Sequence, residues 1–313
     1  MSLPVFNTIQ YDDYSKDITS KIEEQCIQIL NEYGQIIFLL DTTLNDSIFN
    51  EVIDNLSNKN IAYIPLAYKK EIAKSNLFFI CIDDKKIFEQ VKEDLLQNLS
   101  RNKNITNDCY FVHGFGVAKT RSLEELRDQI KTKLVIADQG KKILFRWYDP
   151  RVMIYLDKIF KTEYVGSLLD GFKEWHFLHP KGLFSFKSYD ESRSILNLTK
   201  VNLEQSIDLD LIEIANNVFQ QLNEFEQVDL IKIHPVEIHQ NLKEAYHDYG
   251  IQKHLDLVTY GLYSQIIHKN FIQHPTVTNV LYDHCVMNKM SFTDAMDYVT
   301  KDLYEQIAKE LNG

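Results

Sequence analysis

Cysteine, glycine and proline are scarce in this chain, and no long apolar run occurs in it. The 313 residues include only four cysteines, Cys26, Cys81, Cys109 and Cys285, with no CxxC pair or regular spacing. That spacing argues against a disulfide scaffold and a zinc site. Ten glycines and six prolines exclude collagen-like and low-complexity chains. The longest apolar runs, Ile36 to Leu40 and Leu77 to Ile82, fall far short of the roughly 18 residues of a membrane helix. The opening MSLPVFNTIQYDDYSKD has no basic segment leading into an apolar one, and Asp12 and Asp13 stand where a signal peptide needs hydrophobicity. The expectation is a chain that stays in a reducing cytoplasm, with Cys81 and Cys109 acting as small hydrophobes.

Basic charge is also in deficit. Lys and Arg number 34 against 45 Asp and Glu, a formal charge of −11. Residues 191–313 hold 9 basic and 18 acidic residues, so that segment alone carries −9 and the rest −2. A nucleic-acid partner requires a clustered basic face, which this part of the chain would oppose, and an anionic membrane surface meets the same objection.

What the chain does have is 44% hydrophobic residues, enough for a substantial core and, by length, for two domains. In the first half, short β-like runs alternate with helical stretches. Ile36 to Leu40 reads as a buried strand, with a helix near Asp46 to Leu56. Leu77 to Ile82 repeats the pattern, with Ile87, Val91, Leu95, Leu96 and Leu99 as a helical stripe. Cys109 to Phe115 is a third strand. Ser122 and Glu125 form a capping box for a helix to about Ile130. Lys133 to Ala137 and Ile143 to Trp147 are two more strands around the turn Asp138-Gln139-Gly140-Lys141. Lys181 to Tyr189 and Ser194 to Leu198 are candidate extra strands.

Beyond about residue 190 the period becomes helical, with expected helices at Leu209 to Phe225, Val228 to Tyr249 with an interruption near Pro235, Gln252 to His268, Pro275 to Cys285 and Phe292 to Leu311. The predicted fold class is a mixed α+β N-terminal domain, residues 1–190, followed by an acidic all-helical lobe, residues 191–313.

Catalytic and cofactor motifs are weak. Seven histidines fall in the helical lobe, yet His234 and His239 are five apart and do not share a helical face, and His247 and His254 have no carboxylate or cysteine at a telling interval. Gly114-Phe115-Gly116, with Lys119 and Arg121 nearby, lacks the third glycine of a dinucleotide fingerprint and reads as a tight turn toward Ser122. Gly140-Lys141-Lys142 is not a Walker loop. No nucleophile elbow occurs. Catalytic, cofactor and metal residues are accordingly expected to be none.

The informative stretch is Phe145-Arg146-Trp147-Tyr148-Asp149-Pro150-Arg151. A strand is expected to end at Tyr148, with Asp149 capping a helix and Pro150 at its first position. Arg146 and Arg151, the second against the helix dipole, call for carboxylate partners, Asp149 or Asp41. The two readings of this stretch are a structural ion-pair cluster and a partner-contacting site.

At these residues the chain resembles the Tap-like effector chaperones, or adaptors, of the bacterial type VI secretion system. The resemblance runs from Leu39-Leu40-Asp41 through Leu77-Phe78-Phe79-Ile80 and Ser122-Leu123-Glu124-Glu125-Leu126, peaks at Phe145 to Val152, and ends with Trp175. Tyr249-Gly250-Ile251, Phe271, Pro275 and Val277 to Leu281 extend it into the helical part. Glu125-Leu126-Arg127 stands where the family often has a histidine-led triplet, and Thr42-Thr43 where it has small residues. The resemblance implies a non-enzymatic cytoplasmic protein that binds a secreted effector, chiefly its N-terminal region, and helps load it onto the VgrG spike. It also implies Asp41 and Arg146 to Arg151 as the signature cluster. Two alternatives stand beside it: an acidic immunity-type inhibitor of a toxin, and a phosphate-handling enzyme using Arg146, Asp149 and Arg151.

Overall fold

The computed structural model describes residues 6–9, 18–65, 76–106, 108–120, 122–188, 198–225 and 228–312. Contacts divide the chain into two compact units, Met1–Gln205 and Ser206–Gly313. The sequence places the divide at 190/191. The later position reflects how residues 198–201 are held: Lys200 bridges in parallel to Ala137, and Val201 N donates to Ala137 O at 3.0 Å.

The first unit contains β1 (Asn7–Ile9), β2 (Ile36–Asp41), β3 (Ile61–Tyr63), β4 (Leu77–Ile82), β5 (Val112–Ala118), β6 (Val135–Asp138), β7 (Lys141–Leu144), β8 (Phe172–His179) and β9 (Gly182–Lys187). Seven of these form one sheet in the order β1-β9-β8-β5-β2-β4-β3, every pairing antiparallel. Its helices are α1 (Ile18–Tyr33), α2 (Asn50–Asp54), α3 (Lys85–Ser100), α4 (Leu123–Lys133), α5 (Pro150–Met153), α6 (Leu156–Ile159) and α7 (Thr162–Leu168).

Strand β2 is buried at all six positions, which explains its unbroken apolar run. Side chains alternate between faces along a strand. Ile36, Phe38 and Leu40 join Ile22, Cys26, Val91, Leu95 and Leu99 from α1 and α3 in one core. Ile37, Leu39 and Asp41 therefore point to the opposite face. Asp84 caps α3 by accepting from Lys86 N at 2.6 Å, and Ser122 caps α4 by accepting from Glu125 N at 3.3 Å.

Several details differ from the sequence reading. The third strand is Val112–Ala118, three residues later than expected, so Gly114-Phe115-Gly116 lies inside it rather than in a turn. The reason is packing against β8. A Cβ on Gly114 would stand 2.5 Å from the Trp175 ring and from the His176 carbonyl oxygen, and one on Gly116 would collide with the Glu174 carbonyl. Arg121 lies outside the described residues.

Strand β7 stops at Leu144 rather than Trp147. The chain bends at Arg146, whose carbonyl accepts from Asp149 N at 3.0 Å, and Trp147 and Tyr148 turn inward at 1% exposure. The β6–β7 turn has Gln139 at φ 45° and Gly140 at φ 82°, the left-handed pair of a type I′ hairpin.

Of the two candidate extra strands, Lys181 to Tyr189 corresponds to β9, with Tyr189 outside the described residues. Of Ser194 to Leu198 only Leu198 is described. Strands β1, β3 and β8 and helices α1 and α7 go beyond what the sequence reading assigned.

The second unit is helical. Its helices are α8 (Leu203–Leu222), which begins just before the divide, α9 (Pro235–Asp248), α10 (His254–Ile266), α11 (Pro275–Leu281), α12 (Phe292–Met296) and α13 (Lys301–Asn312). A π-helical turn, Tyr282–Met287, continues α11. Gly250, at φ 66°, ends α9, and Ile251 N reaches back to Ala245 O at 3.0 Å. The single last helix expected from Phe292 to Leu311 is two. Val299 turns into the core at 1% exposure, Thr300 O accepts from Tyr304 N, and Tyr304 Oη donates to Met296 O at 3.2 Å across the break. Among the described residues no helix is long and apolar enough to cross a membrane.

Candidate functional site

Asp41 is the last residue of β2 and is 7% exposed. Its Oδ1 accepts from Thr43 N at 2.9 Å and Thr43 Oγ1 at 2.5 Å, a local turn that locks the carboxylate. Its Oδ2 faces the Arg146 guanidinium and the His113 ring. Arg146 Nη2 donates to it at 3.2 Å, and His113 Nε2 lies 3.6 Å away. Burial pushes the Asp41 carboxyl up, but the His113 contact and the Thr43 bonds outweigh it and hold the pKa at about 2.

His113 sits where β2 and β5 slip in register: Leu39 pairs with Gly114 and Leu40 with Val112, so His113 is the extra residue of a bulge. The bulge aims its ring at Asp41. The ring is fully buried and meets Tyr148 edge-on at 4.9 Å. Neither ring nitrogen has a hydrogen-bond partner by distance and angle.

Asp149 has three duties. Its Oδ1 caps α5 by accepting from Arg151 N at 3.0 Å, with Pro150 at the helix's first position. It also forms a two-pronged pair with Arg151, Nε to Oδ1 at 3.1 Å and Nη2 to Oδ2 at 2.9 Å. Arg146 Nη2 lies 3.8 Å from its Oδ2. Burial opposes ionisation of Asp149, yet the Arg151 bonds and the positive charges around it drive its pKa far below the usual carboxylate range. The carboxylate at the cap makes the Arg151 cation tolerable in the first turn.

The sequence-predicted residues thus come together. Asp41, Arg146, Asp149 and Arg151 form one ion-pair network, and Trp147, Tyr148 and Pro150 are its buried backing. Arg151 also stacks over Tyr110 with 4.6 Å to the ring centroid. The carboxylates are nearly inaccessible, whereas the arginine side chains keep 42% (Arg146) and 32% (Arg151) of their surface exposed. The network sets two part-exposed arginine side chains over a neutralised base, an arrangement suited to gripping carboxylates or backbone carbonyls.

No protein-family model, curated protein or solved structure matches the chain.

Sequence reasoning missed His113 and Tyr110. The signal available for His113 was a histidine leading into Gly114-Phe115-Gly116 inside an apolar strand. It also missed a second buried network on β8 and β9, where Glu174, 2% exposed, accepts from His176 Nε2 at 2.7 Å and Lys187 Nζ at 3.2 Å. Burial raises the Glu174 pKa, but these two partners bring it below the ordinary value. Among the described residues no three His, Cys, Asp or Glu side chains converge to hold a metal ion. His239 bonds the Asp208 carbonyl at 2.8 Å, and His234 caps α9 through Val236 N.

Proposed function

We propose that this chain is a cytoplasmic chaperone or adaptor that binds a type VI secretion effector, chiefly its N-terminal region, and helps deliver it to the VgrG spike. The observation that carries the reading is the convergence of the signature residues. Asp41 and the Arg146–Arg151 stretch, separated by about a third of the chain, build one network whose buried carboxylates hold two part-exposed arginines. A fold that only needed to close a strand-to-helix corner is served by Asp149 and Pro150 alone. The two part-exposed arginines would offer charge-assisted contacts to an extended segment, and the wall of buried aromatics behind them keeps them in place.

The test is co-expression of the tagged chain with the effector encoded beside it, followed by purification. Recovery of a complex through the effector's N-terminal segment, together with greater effector solubility, supports the reading. Capture of the toxic domain with loss of its activity would identify an inhibitor instead. Turnover of a phosphorylated substrate that Asp149→Ala abolishes would identify an enzyme.

A further inference from the structure

The helical unit has a groove of its own. About 780 Å³ in volume, it is lined by residues from the start of α10, from Ile272 and Gln273, from α11 and from the π-helical turn. Its floor is apolar: Ile251, Ile272 and Phe292 are 7–8% exposed. Its rim is open and mixed: Tyr249 is 38%, Tyr282 57% and Val286 53% exposed, beside exposed Gln252, Lys253 and Gln273. Three large apolar side chains left in water around one opening mark a binding surface rather than ordinary surface scatter. Tyr282 and Val286 stand four apart on the π-helical turn, a widened geometry frequent at functional sites.

Charge selects the occupant. Residues 206–313 hold 16 Asp and Glu against 7 Lys and no Arg, a net of −9. The groove's own lining holds one Lys, Lys253, and one Asp, Asp256, so the acidic bias at its mouth comes from exposed Asp248 and Asp283, chain neighbours of Tyr249 and Tyr282, and from the unit as a whole. Asp256, which also lines the groove, is already engaged, accepting from Thr293 N at 2.9 Å and Thr293 Oγ1 at 2.8 Å. The acidic field attracts a cationic partner and opposes anionic lipid surfaces. The apolar floor requires a partner with an apolar face.

We infer that this groove binds an amphipathic helical segment of a partner protein, with apolar residues at helical spacing seated on Ile251, Ile272 and Phe292 and Lys or Arg at its edges. The inference goes beyond the adaptor reading and does not depend on it, because its test uses this chain and model peptides alone.

The full chain is titrated into two labelled peptides of about 18 residues, one of Leu and Lys with the leucines on one helical face, the other with Glu in place of Lys. The Leu/Lys peptide is expected to bind and the Leu/Glu peptide not to. Raising salt from about 50 to about 300 mM is expected to weaken binding severalfold. The double variant Tyr282→Ala, Val286→Asn, at two exposed positions, is expected to weaken it about tenfold or more. On the unaltered chain, amides of Tyr282–Met287 are expected to gain hydrogen-exchange protection when the Leu/Lys peptide is bound. Equal binding of both peptides, full affinity in the double variant, or no added protection in that turn would each overturn the inference. A wild-type dimer that the double variant dissociates would also overturn it, since a second copy would then be the occupant.

Discussion

Arg146 Nη2 lies 3.2 Å from Asp41 Oδ2 although 105 residues separate the two. The pair joins the end of a central strand to the turn that launches α5, and it gives the carboxylate a partner while leaving the guanidinium partly in water. That asymmetry allows the structural and binding roles of the network to be separated by substitution.

Arg146→Ala is expected to reduce stability by no more than about 1 kcal/mol, because solvent screens a cation with 42% of its surface exposed. On the adaptor reading it reduces effector capture about tenfold or more, since it removes one of the two part-exposed arginines of the network. Urea unfolding and a pull-down on the same sample measure both effects. Loss of capture in proportion to loss of fold would assign Arg146 a structural role only.

Asp149→Ala has the opposite balance. It removes the α5 cap and the shared partner of Arg151 and Arg146 at a 4% exposed position. The expected cost is about 3 kcal/mol, read as a lower urea midpoint. Asp149→Asn keeps a capping oxygen and should recover part of the loss.

Acid should destabilise the first unit in a defined window. Asp41 ionises at about 2 in the folded chain against an ordinary 3.8. A carboxyl whose folded pKa is lowered contributes stability that is fully present above the unfolded value and is lost as pH falls through the folded one. Unfolding free energy should therefore decline between about pH 4 and pH 2, by about 2 kcal/mol from Asp41 alone. Asp149 and Glu174, both lowered, act in the same direction. Asp41→Asn should flatten this part of the profile in denaturant titrations across pH.

Gly116→Ala probes the β5–β8 contact. The added methyl meets the Glu174 carbonyl between buried stretches of β5 and β8, so a loss of about 3 kcal/mol or poor soluble yield is expected. Gly140→Ala, at an open turn with φ 82°, should cost only about 1 kcal/mol from backbone strain. Thermal melts of the two variants side by side check the difference.

Much of the fold could be read locally. The unbroken apolar run of β2 reflects burial on both faces, the Val91–Leu95–Leu99 stripe is the core face of α3, and Ser122, Asp149, Ser291 and Gly250 mark helix ends through hydrogen bonds a few residues long. The corner at Asp149-Pro150 and the need of Arg146 and Arg151 for carboxylates could be read in the same way, since a cap and a misplaced cation are local facts. Tertiary structure decided the rest. Strand order and the choice of Asp41 as Arg146's partner depend on which distant segments meet, and local periodicity carries no information on pairing. The glycines of β5 looked like a turn because their cause, the Trp175 ring and the β8 backbone, lies about 60 residues away. His113 became part of the site only through a register slip between two strands. The last helix broke at Val299 because burying that side chain and bonding Tyr304 to Met296 outweighed a continuous helical pattern. Caps, stripes and turns are settled within a few residues of chain, whereas partners across the sheet are settled only when the whole unit closes and every buried charge must find its counter-charge.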